Sequence, residues 1–139
     1  MKLIGIDYGR RRIGMAATDE TGTFIRSLST LDRKTCSNVS SAIHDIVRDE
    51  NPDTLVFGLP LDKNDDQTAM SIEVKSFAAA IAELTQLPVE YVDESLTSVR
   101  AHGIIRMHRK KHRRQKGNID RIAACLILET YLQEHSEKS

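Results

Sequence analysis

Lys2-Leu3-Ile4-Gly5-Ile6-Asp7-Tyr8-Gly9-Arg10-Arg11-Arg12-Ile13-Gly14-Met15-Ala16-Ala17-Thr18-Asp19 is the stretch that decides the fold. It reads as a buried strand over Lys2–Tyr8, a tight turn, and a second strand over Ile13–Asp19. The turn signal Glu20-Thr21-Gly22 leads into a third strand, Thr23–Leu28. Connections this short make antiparallel hairpins. Asp7 closes the first strand. Gly9 permits a tight turn and lets a phosphate approach the backbone. Arg12 is of the type that holds a phosphate oxygen or orients a carboxylate. An ordinary hairpin with a turn-forming Asp and Gly carries the same letters, so this motif alone does not settle function.

Outward from the hairpins, Val39, Ala42, Ile43, Ile46 and Val47 recur at helical spacing, predicting a helix from about Ser37 to Glu50. Asn51-Pro52-Asp53 stops it, and Leu55-Val56-Phe57 is a short buried strand ending at Gly58-Leu59-Pro60-Leu61. After a polar loop, Asp62–Thr68, a second helix carries Met70, Val74, Phe77, Ala78, Ile81 and Leu84 on one face. Pro88 opens the strand Val89–Val92, and Thr97 is the expected N-cap of a third helix through about Met107. Asn118 is the expected cap of a final helix bearing Ile119, Ile122, Ala123, Leu126, Ile127 and Tyr131. Hairpins followed by alternating helices and strands predict an α/β domain, with a mixed sheet flanked by helices, over residues 1–139.

No apolar run approaches the roughly 18 residues of a membrane span, so no membrane partner is expected. Met1-Lys2-Leu3 runs straight into a strand pattern, which predicts no signal peptide. Cys36 and Cys125 form no ligand motif, which fits reduced thiols in a cytoplasm. The formal net charge is zero, yet Ser95–Ile119 contains no Asp or Glu. That stretch holds Arg100, Arg106, Arg109, Lys110, Lys111, Arg113, Arg114 and Lys116, with three histidines among them. A local cationic segment can bind polyanions even in a neutral chain. A solvated loop is the plainer reading of the same run.

Three carboxylates stand at element ends: Asp7, Glu94 after Val89–Asp93, and Asp120 in the first turn expected of the last helix. A hard divalent cation that handles phosphate takes oxygen ligands and keeps open positions for substrate. Singly, each has a simpler explanation. Asp93 and Glu94 suit the N-terminus of a following helix, and Asp120 suits a first helical turn.

Taken together, Gly5-Ile6-Asp7-Tyr8-Gly9 with Arg12-Ile13-Gly14, then Gly58-Leu59-Pro60-Leu61, Asp93-Glu94-Ser95-Leu96-Thr97 and Ile119-Asp120-Arg121-Ile122-Ala123-Ala124 resemble the YqgF family, also called RuvX-like or pre-16S rRNA nucleases. The resemblance runs from Lys2 to about Leu132. It implies a ribonuclease H-like fold with a five-stranded mixed sheet and a cytoplasmic, metal-dependent nuclease acting on precursor 16S rRNA. It also implies Asp7, Glu94 and Asp120 as catalytic ligands of Mg²⁺ or Mn²⁺. Gly9, Arg12, Thr97, Arg109, Lys110, Lys111, Arg113 and Arg114 are the expected nucleic-acid contacts, in a monomer or weak homodimer. A Holliday-junction resolvase acting on DNA and a non-catalytic nucleic-acid-binding module are the rivals. An actin-like ATPase also begins with strand, Asp, Gly and hairpin, but it needs two lobes and a second phosphate loop. The chain has Ser95 where the family usually has Arg, Thr97-Ser98 for Thr-Thr, and an acidic loop after Leu61 where the family carries Gly.

Overall fold

The computed structural model of the protein describes residues 1–61, 68–93 and 116–136. In chain order these form β1 (Leu3–Asp7), β2 (Arg12–Thr18), β3 (Ile25–Ser27), β4 (Leu31–Asp32), α1 (Val39–Glu50), β5 (Thr54–Leu59), α2 (Ala69–Thr85), β6 (Val89–Asp93) and α3 (Lys116–Ser136). The sheet order is β3-β2-β1-β5-β6, with β1 and β2 and then β2 and β3 antiparallel, and β1, β5 and β6 parallel. This is the five-stranded mixed sheet expected. The two-residue β4 is an addition, pairing with β2 through Arg12 opposite Asp32 and Ile13 opposite Leu31. A strand so short carries no alternation to read.

Alternation along the central strand divides the core in two. Ile4 and Ile6 pack with Ile13, Met15, Phe57, Ile43, Val74 and Ile81 on the face covered by α1 and α2. Leu3 packs with Ala16, Val56, Val92, Ala124, Ile127, Leu128 and Tyr131 on the face covered by α3. Leu3, Ile4 and Ile6 are fully buried, each contributing about 1.5–3 kcal/mol. With both faces covered, β5 has no polar side, and all six of its residues are buried.

Local signals set the helix ends. The Asn38 side chain accepts from Ser41 N at 3.0 Å, and Asn51 closes α1 in the left-handed region at φ 51°. Thr68 and Ser71 form a reciprocal capping box on α2, and the Thr68 hydroxyl also donates to Pro60 O at 2.7 Å. That bond ties the start of α2 to the exit of β5.

Two expected elements shift. The third strand starts later than Thr23, because Asp19 Oδ1 accepts from Thr23 N (2.8 Å) and Phe24 N (3.1 Å), keeping both in the turn. The Thr21 hydroxyl and these two amides hold the Asp19 carboxyl below its usual range. The final helix is already under way at Lys116, so Asn118 lies inside it and does not cap it, and Asp120 stands beyond the first turn. One Asn weakens a helix by well under about 1 kcal/mol, too little to end one that packs on a whole sheet face. The helix expected over Thr97–Met107 lies outside the described residues.

Candidate active site

Asp7 ends the central strand and is half-buried. The period-two alternation that sends Leu3 and Gly5 toward α3 sends Asp7 to the same face. Its partner on β2 is Gly14. On the other side, Ile6 pairs with Phe57, so the residue level with Asp7 on β5 is Gly58, and the next across is Val92. Asp7 therefore has a glycine on each neighbouring strand. No sheet side chain crowds it from either side.

Gly5 shows how close the helix comes. A Cβ at Gly5 would lie 2.7 Å from Leu128 Cγ and 2.9 Å from the Ala124 carbonyl oxygen. A Cβ at Gly22, beside the start of β1, would lie 3.8 Å from Leu132 Cδ2. The helix thus runs antiparallel to β1, with its earlier residues toward the Asp7 end. From Ala124 back to residue 120 is one turn, an advance of about 6 Å. From Gly5 to Asp7 is about 6.6 Å along the strand. The two displacements match, so the backbone at Asp120 is drawn toward the level of Asp7. Of Asp120 the structure describes the backbone.

Arg12 shares the Asp7 face, because Ile13 and Met15 point to the opposite one. Asp93, level with Leu59, ends β6. Glu94, Thr97, Arg109, Lys110, Lys111, Arg113 and Arg114 lie outside the described residues. Among the described residues no three His, Cys, Asp or Glu side chains gather into a metal-holding group. Asp7 is the one expected ligand whose side chain is described.

The turn after Asp7 is built by residues distant in sequence. The Tyr8 hydroxyl donates to Glu73 Oε1 at 2.7 Å, and Arg10 Nε donates to Glu73 Oε2 at 3.1 Å. Arg33 Nη1 donates to the Gly9 carbonyl at 3.1 Å while its guanidinium lies 5.1 Å from the Tyr8 ring centroid and 5.9 Å from that of Phe77. Arg11 Nε meets Asp32 Oδ1 at 3.2 Å, and Arg33 N donates to the Arg11 carbonyl at 2.8 Å. Gly9 is required here: a Cβ would lie 2.4 Å from the Arg12 carbonyl oxygen. Glu73 and Arg33 carry no local signal, being 65 and 24 residues from their partners. Gly14 and Gly58 stand in the quoted motifs, but their place beside Asp7 comes only with the register of the strands.

The Tyr8 hydroxyl first, then Arg10, holds the Glu73 carboxyl below its usual range. The folded state therefore binds this proton less readily than the unfolded chain. Its stabilising contribution is present above the ordinary Glu range and is lost as pH falls through the lower folded value. Glu73→Gln is expected to lower Tm at pH 7 and to flatten the decline of Tm with acid below about pH 4.5. Thermal melts of both proteins between neutral and acid pH check this; parallel curves would refute it.

No described helix is long and apolar enough to cross a membrane. Cys125 is partly buried beside the α3 core, and burial first, then Glu129, pushes its thiol pKa up. That is the behaviour of an unreactive packing residue.

A family model described as "RuvX: Holliday junction resolvase" matches residues 1–134. A Synechococcus elongatus protein with the name "Putative pre-16S rRNA nuclease" is 37% identical over 134 residues, covering 96% of this chain and 90% of its own. The same name belongs to a Thermosynechococcus vestitus protein, 32% identical over 137 residues, covering 99% of this chain and 91% of its own. Among solved structures, Thermus thermophilus RuvC aligns with a TM-score of 0.61 at 14% identity, covering 97% of both chains. The fowlpox virus Holliday junction resolvase aligns with a TM-score of 0.55 at 14% identity, covering 98% of this chain and 99% of its own. At that identity the two structures speak for the fold, and they share this one.

Proposed function

The chain belongs to the RuvX family, and from that premise we propose that it hydrolyses phosphodiester bonds in precursor 16S rRNA with a divalent metal. The observation that carries the reading is Asp7 itself: a carboxylate at the end of the central strand, between Gly14 and Gly58, on the face over which α3 lies. Its oxygens suit a hard cation, and the paired glycines leave room for that cation and a phosphate.

In this reading Asp7, Glu94 and Asp120 hold Mg²⁺ or Mn²⁺, and Arg12 meets the phosphate from the same face. Gly9 permits close approach of the backbone, and Thr97, Arg109, Lys110, Lys111, Arg113 and Arg114 hold the nucleic-acid strand. When bound, the metal supplies an activated hydroxide and stabilises the leaving oxygen. No covalent enzyme intermediate is required.

A metal held by Asp7 stabilises the folded state by mass action. Mg²⁺ or Mn²⁺ is expected to raise Tm in the wild type and to raise it less in Asp7→Asn. Equal metal responses in the two proteins would place the ion elsewhere.

The family description favours a second reading, a resolvase of DNA junctions. Precursor 16S rRNA, single-stranded DNA and a four-way junction, each incubated with Mg²⁺, Mn²⁺ or chelator, separate the two. Metal-dependent trimming of the RNA with the junction left whole supports rRNA processing. Symmetric junction cleavage by a dimer supports the resolvase. No cleavage of any substrate in either metal would reject both.

A further inference from the structure

The β1–β2 turn and the segment after β4 form one cationic surface. Arg10, Arg11 and Lys34 are exposed there, with Arg33 beneath them. The pairing of Arg12 with Asp32 and the bond from Arg33 N to the Arg11 carbonyl hold the two segments side by side. Arg33 serves the construction, fixing the Gly9 carbonyl and covering the Tyr8 and Phe77 rings. Arg10 and Arg11 are held differently. Glu73 and Asp32 meet them at Nε, and the two arginine side chains stay 67% and 57% exposed. Exposed pairs of this kind are weak and screened by solvent, so a phosphate can share or displace the carboxylate. A guanidinium steered by Nε and still this exposed is prepared to meet an anion.

This surface begins three residues after Asp7, within about 10 Å along the chain. We infer that Arg10, Arg11 and Lys34 form a second backbone-binding track, gripping the phosphates of the substrate strand just beyond the bond that is cut. The inference rests on the nuclease reading above, and it adds contacts separate from the basic segment Arg106–Lys116. The track recognises sugar–phosphate backbone and not base sequence, since its donors are cations at the protein surface.

The test is anisotropy of a labelled single-stranded oligonucleotide of mixed sequence, titrated with full-length protein in chelator at several salt concentrations. Chelator removes cleavage and metal from the measurement. Replacing Arg10, Arg11 and Lys34 together by Ser is expected to weaken binding at least about tenfold and to lower the salt slope by about 2, at roughly 0.7 per phosphate contact. The charge-keeping pair Arg10→Lys and Arg11→Lys is expected to retain most of that slope. An unchanged slope in the Ser variant, with Tm intact, overturns the track. So does an equal loss in the Lys variant, which would assign the effect to turn geometry. Tighter binding of poly-glutamate than of the oligonucleotide would give the surface to an acidic protein. Loss of cleavage in Asp7→Asn with its oligonucleotide binding and slope intact keeps the track separate from the catalytic assignment. A wild type that binds no oligonucleotide at all rejects both readings.

Discussion

Asp7→Asn is expected to reduce cleavage more than about a hundredfold while Tm in chelator stays within a few degrees of wild type. Asn fills the same volume at the strand end, and Asp7 is half-buried, so packing changes little. What is lost is the charge that a divalent cation needs. Removing a group that merely orients a metal ligand lowers affinity or activity 10–100-fold, and a ligand itself counts for more. Oligonucleotide binding in chelator is expected to persist, because the cations on the adjoining turn are untouched. Single-turnover cleavage at saturating Mg²⁺ is the decisive measurement. Near-normal rates there would remove Asp7 from the chemistry.

Gly5→Ala is the second large effect, and it acts through packing. The added methyl would lie 2.7 Å from Leu128 Cγ and 2.9 Å from the Ala124 carbonyl oxygen. Leu128 can turn aside, but the carbonyl belongs to the α3 backbone, so the helix must move off the central strand. Overpacking of this kind destabilises by about 1–3 kcal/mol, or roughly 4–12 °C in Tm for a domain this size. The same shift withdraws the helix that carries Asp120 from Asp7, so activity at a permissive temperature should fall beyond what unfolding explains. Adding Leu128→Ala should not restore either loss, because the carbonyl contact remains and Leu128 is itself fully buried. Full recovery by that second change would show that the side chain alone set the distance.

How much of this was readable follows from the range of the forces involved. The strand patterns, the Asn51 and Thr68 helix ends and the mixed sheet come from local periodicity and caps, which act within a few residues. The placement of Asp7 at a strand end was legible for the same reason. Asn118 misled, because a cap preference is weak beside the burial of Ala124, Ile127, Leu128 and Tyr131 on the sheet. Glu73 and Arg33 were invisible, because each finds its partner only after the chain has folded. Thr23 and Phe24 read as strand until the Asp19 carboxylate claimed their amides. The glycines flanking Asp7 lay between these cases: their identity is in the sequence, but their meaning needs the register of three strands.

The position of α3 bears on the order in which the molecule is made. Every described strand is synthesised before Lys116–Ser136, so a nascent chain presents Leu3, Ala16, Val56 and Val92 uncovered until α3 leaves the ribosome. A ribosome-bound chain stalled before Lys116 should bind a hydrophobic dye that the finished protein excludes. At that stage it also has Asp7 without Asp120. Covering the sheet and bringing the backbone at Asp120 toward Asp7 are then one late event.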